Sequence, residues 1–216
     1  MAKTRNDSID KVDDGPTIDT NKNLKKVKVA LSARGHGILF NPMTDEKIDE
    51  LAGIRPKSAS EKDLPLRDRA EKKIIRENGK VGIPATYILS ALIYAGRYVK
   101  NGKNNVSTAK TTTVFEFLTI HEEFFPFLDQ SEQWIVDKRR GTASNGKTEA
   151  AIALIRPKFK NWSVSFTIEI DESLISLITV KQLFEEAGRK SGVGDYRPQK
   201  KGPFGMFDVS DWKTSL

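Results

Sequence analysis

No cysteine occurs among the 216 residues, and histidine appears only as His36 and His121. The first absence excludes disulfides, thiolate metal sites and cysteine nucleophiles, and it fits a reducing compartment. The second argues against a histidine-rich metal centre. No apolar run approaches the ~18 residues that a membrane-spanning helix requires. The opening stretch MAKTRNDSIDKVDDGPTIDTNKN has no apolar segment of the kind found in signal peptides. It reads as a flexible polar arm over 1–23. These absences predict a cytoplasmic chain with no cofactor, no bound metal and no membrane partner.

Charge and length bound the rest. Lys and Arg total 36 against 29 Asp and Glu, a net charge of +7. A basic excess suits a polyanionic partner. The length suits one domain with a sizeable core.

Order begins at Leu24. In LKKVKVALSA, Val27, Val29 and Leu31 alternate with Lys26, Lys28 and Ala30, the period of a strand with one basic face. Residues 44–78 are dense in charge and predict short solvated helices or an irregular excursion, within an insertion over about 44–82. IPATYILSALIYAGRYVK places Ile88, Leu92, Ala95 and Val99 on one helical face. Pro84 suits the first turn of that helix, and Asn101 and Gly102 its end. FEFLTIHEEFFPFLDQ has an ambiguous period. Three strands follow, EQWIVDKR, EAAIALIRPKF and NWSVSFTIEID, the first two joined by a hairpin tip over about 138–148. Thr179 and Gln182 resemble a capping box for the helix VKQLFEEAGRK, which Gly188 or Gly192 would close. FGMFDV predicts a last strand, and 212–216 a tail. Reduced, the order is β-α-β-β-α-β: an α+β fold with a ferredoxin-like, RRM-like core, insertions and a C-terminal glycine-rich loop, in a single domain over 24–211.

Three patterns carry possible chemistry. Residues 141–148, GTASNGKT, satisfy the phosphate-loop pattern G-x-x-x-x-G-K-[ST] and would use Lys147 on a nucleotide. That pattern needs a parallel strand before it and a long helix after it. Here charge precedes it, and EAAIALIRP leaves little room before Pro157. The competing reading is a hairpin tip with basic flanks. His36, in RGHG with Arg34 beside it, is a candidate acid-base group for cleaving a phosphodiester without metal; otherwise it is a polar turn residue. His121 reads as structural or surface.

The third pattern is GVGDYRPQKKGPFGMF, 192–207. Gly192 and Gly194 allow a backbone to approach closely, and successive N–H groups in such turns hold anions. Arg189, Lys190, Arg197, Lys200 and Lys201 add five cations against Asp195 alone. Tyr196, Phe204 and Phe207 offer stacking faces or core anchors. Cations, open backbone and rings together suit the phosphates and bases of a single strand. The bland reading is a turn that closes a sheet, its basic residues solvated.

The pattern G-h-G-x-x-R-P-x-x-x-G-x-F-G-x-F resembles the glycine-rich loop of the RAMP superfamily, the repeat-associated RNA-binding proteins of CRISPR effector complexes. The segments IPATYILSALIYAGR, GILFNPM and IRPKFKNWSVSFTIEID are similar to features of its backbone-subunit branch. Compact relatives of this kind also occur in phage. The resemblance implies single-stranded RNA, or single-stranded DNA, held across the sheet and the loop. It also implies further partners in antiviral defence: copies of the chain along the strand, or other effector subunits. Gly192, Gly194, Arg197, Gly202 and Gly205 match the loop. The chain departs from the branch in its size and in having only a modest tip, around Arg139 to Lys147, where those subunits carry a long thumb hairpin.

The expected function is therefore non-catalytic binding of single-stranded nucleic acid. The expected contacts are Lys26, Lys28, Arg34, Arg139, Arg140, Lys147, Arg189, Lys190, Gly192, Gly194, Tyr196, Arg197, Lys200, Lys201, Gly202, Phe204 and Gly205. The alternatives are a metal-independent endoribonuclease using His36, a P-loop NTPase using GTASNGKT, and a phage structural or inhibitory protein that binds a protein partner.

Overall fold

A computed structural model describes residues 23–56, 64–144, 146 and 148–214. The polar arm, apart from Asn23, and Lys147 lie outside the described residues.

The chain begins with strands β1 (Leu24–Ala33) and β2 (Ile38–Leu39), then helices α1 (Asp45–Ala52) and α2 (Leu66–Glu71). Strands β3 (Arg76–Glu77) and β4 (Lys80–Pro84) lead into α3 (Ala85–Ala95). A small hairpin, β5 (Lys100–Asn101) with β6 (Asn104–Asn105), precedes α4 (Val114–Phe117), β7 (Leu118–Ile120) and β8 (Phe124–Pro126). The long hairpin β9 (Trp134–Ser144) with β10 (Glu149–Phe159) follows, then β11 (Ser163–Asp171), α5 (Leu177–Glu186) and β12 (Phe207–Thr214).

The central sheet has the order β12-β1-β11-β7 and is antiparallel throughout. With α3 joining β1 towards β7 and α5 joining β11 to β12, this is the ferredoxin-like arrangement expected of β-α-β-β-α-β. Alternation sets its two faces. Val27, Val29 and Leu31 of β1 join Val164, Phe166, Ile168 and Ile170 of β11 in the core. Ile88, Ala91, Leu92 and Ala95 of α3 and Val180, Leu183 and Phe184 of α5 are buried in the same core. Lys26, Lys28, Ala30 and Ser32 share the opposite face with Ser163, Ser165, Thr167 and Glu169. No Phe, Tyr or Trp occupies that open face among the strand residues named.

A second sheet, β2-β10-β9, carries the long hairpin, and a third, β3-β4-β8, covers the core edge. Phe125 stacks on Phe166 with ring centres 4.1 Å apart, joining the third sheet to the first.

Several boundaries differ from expectation. Pro84 is the extended cap of α3 rather than part of its first turn. The helix ends at Ala95, not near Asn101, because the chain turns at Gly96, where any Cβ would meet the Ser107 side chain at 2.5 Å. Asn101 and Gly102 instead belong to the β5–β6 turn. Ser176, not Thr179, caps α5: its Oγ accepts the Thr179 N–H at 3.2 Å. Buried Ile175 fixes the chain just before it. After Glu186 the helix widens into one π turn, Ala187–Ser191, and Gly192 closes it at φ +69°. β12 takes in Trp212 to Thr214 of the expected tail, because Trp212 packs edge-on to Phe184 with ring centres 5.8 Å apart. Within GTASNGKT, Gly141 to Ser144 continue β9, and their partner is the antiparallel β10 rather than the helix that the phosphate-loop pattern needs. No described helix is long and apolar enough to cross a membrane.

Candidate nucleic-acid interface

The glycine-rich loop, 192–206, leaves the π turn and is stitched to the β1–β2 connection. The Asp195 N–H donates to Leu39 O at 2.8 Å, Gly205 N–H to Gly37 O at 2.7 Å, and Arg34 N–H to Met206 O at 2.9 Å. Within the loop, Val193 N–H donates to Gly205 O at 2.9 Å. This closeness needs glycine. Gly205 has φ +71°, and a Cβ there would collide with the Val193 carbonyl. Gly202 is crowded in the same way by Tyr196 O.

Arg156 of β10 fastens the loop to the long hairpin. Only 2% of its side chain is exposed, and it donates to Asp137 Oδ2 of β9 and to Asp195 Oδ2, both at 2.8 Å. Arg139 Nε donates to Asp137 Oδ1 at 2.9 Å, so four charges run in series from the hairpin to the loop. A buried cation of this kind is tolerated only when paired.

Directly opposite residues of an antiparallel pair lie on one side. Register therefore places Asp137 and Arg139 on the hairpin face that also carries Leu154, Arg156 and Lys158. That face meets the loop at Phe204, which is buried. The Arg139 guanidinium lies 4.9 Å and the Lys158 Nζ 5.1 Å from the centre of its ring. His36 flanks the ring at 5.8 Å and Tyr196 at 6.1 Å between ring centres. Arg139 also stands 5.9 Å from the Tyr196 ring. Phe204 is thus the floor of a cluster whose upper layer is cationic and aromatic. Tyr196, 38% exposed, and His36 are the rings that face solvent. Tyr196 holds φ +49°, a conformation uncommon for a bulky residue.

The remaining expected contacts fall in different places. Lys200 and Lys201 are exposed in and just after the turn Pro198–Lys200, beside the cluster in sequence. Arg197 is turned inward: its Nη1 donates to Gly194 O at 2.7 Å, and its Nε and Nη2 donate to Gln199 Oε1 at 3.1 and 3.0 Å. Gly192 and Gly194 pack against Pro198 and Ile38. Arg140 lies on the outer half of the hairpin with Lys138. Arg34 pairs with Asp208 at 3.1 Å and shares a shallow cleft with Arg189. Glu186 binds Arg189 at 2.6 Å and Lys190 at 3.0 Å. The Lys190 Nζ lies 4.2 Å from the Tyr98 ring centre, on the α3 side. Burial alone would raise the Glu186 pKa; Lys190 and Arg189 outweigh it and hold the carboxyl below its usual value. Lys26 and Lys28 stand on the open sheet face, where Lys26 pairs with Glu169 at 3.1 Å.

Lys158 and the Asp137–Arg156 pair escaped sequence reading. Their signal is the alternation of IALIRPKF, which puts Arg156 and Lys158 on one side of a strand. Nothing local says that this side meets the loop. Among the described residues, no group of His, Asp and Glu is placed to hold a metal ion.

No protein-family model and no curated protein matches the chain. Among solved structures it is similar to a chain of the cryo-EM structure of the type III-B Cmr-beta complex bound to cognate target RNA. The likeness has a TM-score of 0.46 and 10% identity, and it covers 90% of this chain and 62% of that one. The chain thus spans less than two thirds of the length of that neighbour.

Proposed function

We propose that this protein binds single-stranded nucleic acid, RNA foremost, where the glycine-rich loop meets the β9–β10 hairpin, and leaves the strand intact. The observation that carries this reading is the cluster on Phe204. Two cations from adjacent strands are held over one buried ring, with Tyr196 open beside them. Phosphates are drawn to the cations and a base stacks on the open ring, the combination used by proteins that grip unpaired strands. Lys200 and Lys201 extend the charge, and the pairing of Arg156 keeps the two halves of the site in register. The glycine pattern, which resembles the RAMP superfamily loop, supports the same reading. It makes other copies along the strand, or other effector subunits, the natural further partners.

Fluorescence anisotropy with labelled single-stranded RNA, single-stranded DNA and duplex DNA across a salt series tests it, with the RNA then run on a gel. Tight, salt-sensitive binding to a single strand that stays intact is expected. Equal preference for duplex, or no binding at physiological salt, overturns it. RNA cut without divalent ion, and spared by His36→Ala, would replace the non-catalytic part with a nuclease.

A further inference from the structure

On the other side of the loop from the Phe204 cluster lies a cavity of about 250 Å³, walled by Asn41, by Tyr87 and Ser90 of α3, and by Gly194, Asp195 and Arg197. Apart from Asp195, its polar side chains can all donate hydrogen bonds. Asp195 is already committed to Arg156 through Oδ2 and to the Tyr196 N–H through Oδ1. Lys73 Nζ donates to Asn41 Oδ1 at 2.9 Å, so the amide NH2 is the group Asn41 has left to offer. Burial raises the Tyr87 pKa, with Arg197 opposing it, so the phenol keeps its proton. Ser90 is exposed at the mouth. Arg197 brings a guanidinium whose position is fixed by Gly194 and Gln199. Hydroxyl, phenol, amide and guanidinium donors converge from three segments of the chain, and the single acidic wall is neutralised.

We infer that this cavity takes one phosphate group of the bound strand. The inference rests on the nucleic-acid reading above and deepens it. Tyr196 sits in sequence between Asp195 and Arg197, which line the cavity, while its own ring lies in the cluster on Phe204. The loop is therefore a thin partition. A strand laid over it stacks a base on Tyr196 and drops a neighbouring phosphate among the donors behind. The phosphate is an internal diester or a 5′-terminal group; the chemistry of capture is the same.

The test is anisotropy with three forms of one RNA sequence: 5′-phosphorylated, 5′-hydroxyl and circular. The proteins are wild type, the double variant Tyr87→Phe with Ser90→Ala, and Ser90→Glu, which places a like charge at an exposed position. Each variant is expected to weaken binding roughly tenfold or more, as the loss of hydrogen bonds to a charged group does. In the double variant the salt dependence stays parallel to wild type, because neutral donors release no counterions. A wild-type preference for the 5′-phosphorylated RNA that the variants lose assigns the cavity to a strand end. Equal losses on circular RNA assign it to an internal diester. Variants that bind like wild type overturn the cavity assignment and leave the nucleic-acid reading standing. A wild type that binds no RNA at all overturns both.

Discussion

Arg156 and Asp195 meet at 2.8 Å across the gap between a strand and a loop, and this contact joins the long hairpin to the glycine-rich segment. The guanidinium is buried, and its other partner, Asp137, is nearly so. Arg156→Met therefore strips Asp137 and Asp195 of their shared cation; Asp137 keeps only the half-exposed Arg139, so the loss should be about 3 kcal/mol, the lower end for breaking a buried pair. Adding Asp137→Leu should restore much of that loss. Urea unfolding of the single and double variants measures both. A single variant as stable as wild type would remove the pair from the account of how the loop is held.

Gly205→Ala tests the loop itself. At φ +71° and against the Val193 carbonyl, the new Cβ is both strained and crowded. Gly35 has a similar φ of +73° with open space around it, so Gly35→Ala reports the strain alone. Strain of that kind is worth about 1–2 kcal/mol. Gly205→Ala should lose clearly more than Gly35→Ala in thermal unfolding; equal losses would mean the close approach is dispensable.

Tyr196→Asn removes the exposed ring while suiting the left-handed backbone. Base stacking contributes about 1–3 kcal/mol per base, so RNA affinity should fall by roughly 5- to 150-fold with little change in unfolding temperature. Unchanged affinity would take the ring out of the interface.

Charge is tested separately. Replacing Lys158, Lys200 and Lys201 together with alanine should reduce the slope of log affinity against log salt by about 2, since each phosphate contact on a single strand accounts for about 0.7. Arg197 is left in place, because its guanidinium holds Gly194 and Gln199 and its loss would also loosen the loop. A slope equal to wild type would mean that these lysines face solvent in the complex.

These tests mix what was readable in the sequence with what was not. The central sheet was legible, because Val27, Val29 and Leu31, and Val164, Phe166, Ile168 and Ile170, alternate without interruption. So were the helix bearing Ile88 and Leu92 and the glycine-rich loop as a distinct feature. The inward turn of Arg197 was not, because it depends on a carbonyl three residues back and a glutamine two residues on, both held by folding. Nor was the joining of Ile38 and Leu39 to β10, a two-residue pairing too short to leave a pattern. Lys158 was hidden for the same reason: its importance comes from Phe204, far along the chain. The capping of α5 was misplaced by three residues because Ser176 and Thr179 both suit a cap, and only the burial of Ile175 decides between them.

Acid should weaken the fold in a defined direction. His121, then Lys26, stabilises the Glu169 carboxylate and lowers its pKa, and Lys213 does the same for Asp211. A carboxyl with a depressed folded pKa contributes stability above its unfolded value and loses it as pH falls through the folded one. Stability should therefore hold down to about pH 4.5 and then decline through the acid range. Glu169→Gln should decline less steeply below that point, as followed by urea midpoints from pH 6 to pH 3. Parallel curves for the two proteins would discount the ion pairs of Glu169.

The position of β1 has a consequence for how the molecule is made. Both of its neighbours in the central sheet, β11 and β12, lie beyond residue 162. During synthesis the first core strand must wait, unpaired, until almost the whole described chain has left the ribosome. Folding dominated by such distant pairings is slow, and a waiting strand invites association with other nascent chains. The alternate lysines of LKKVKV give that strand like charges along one side while it waits, a feature that disfavours strand pairing between copies.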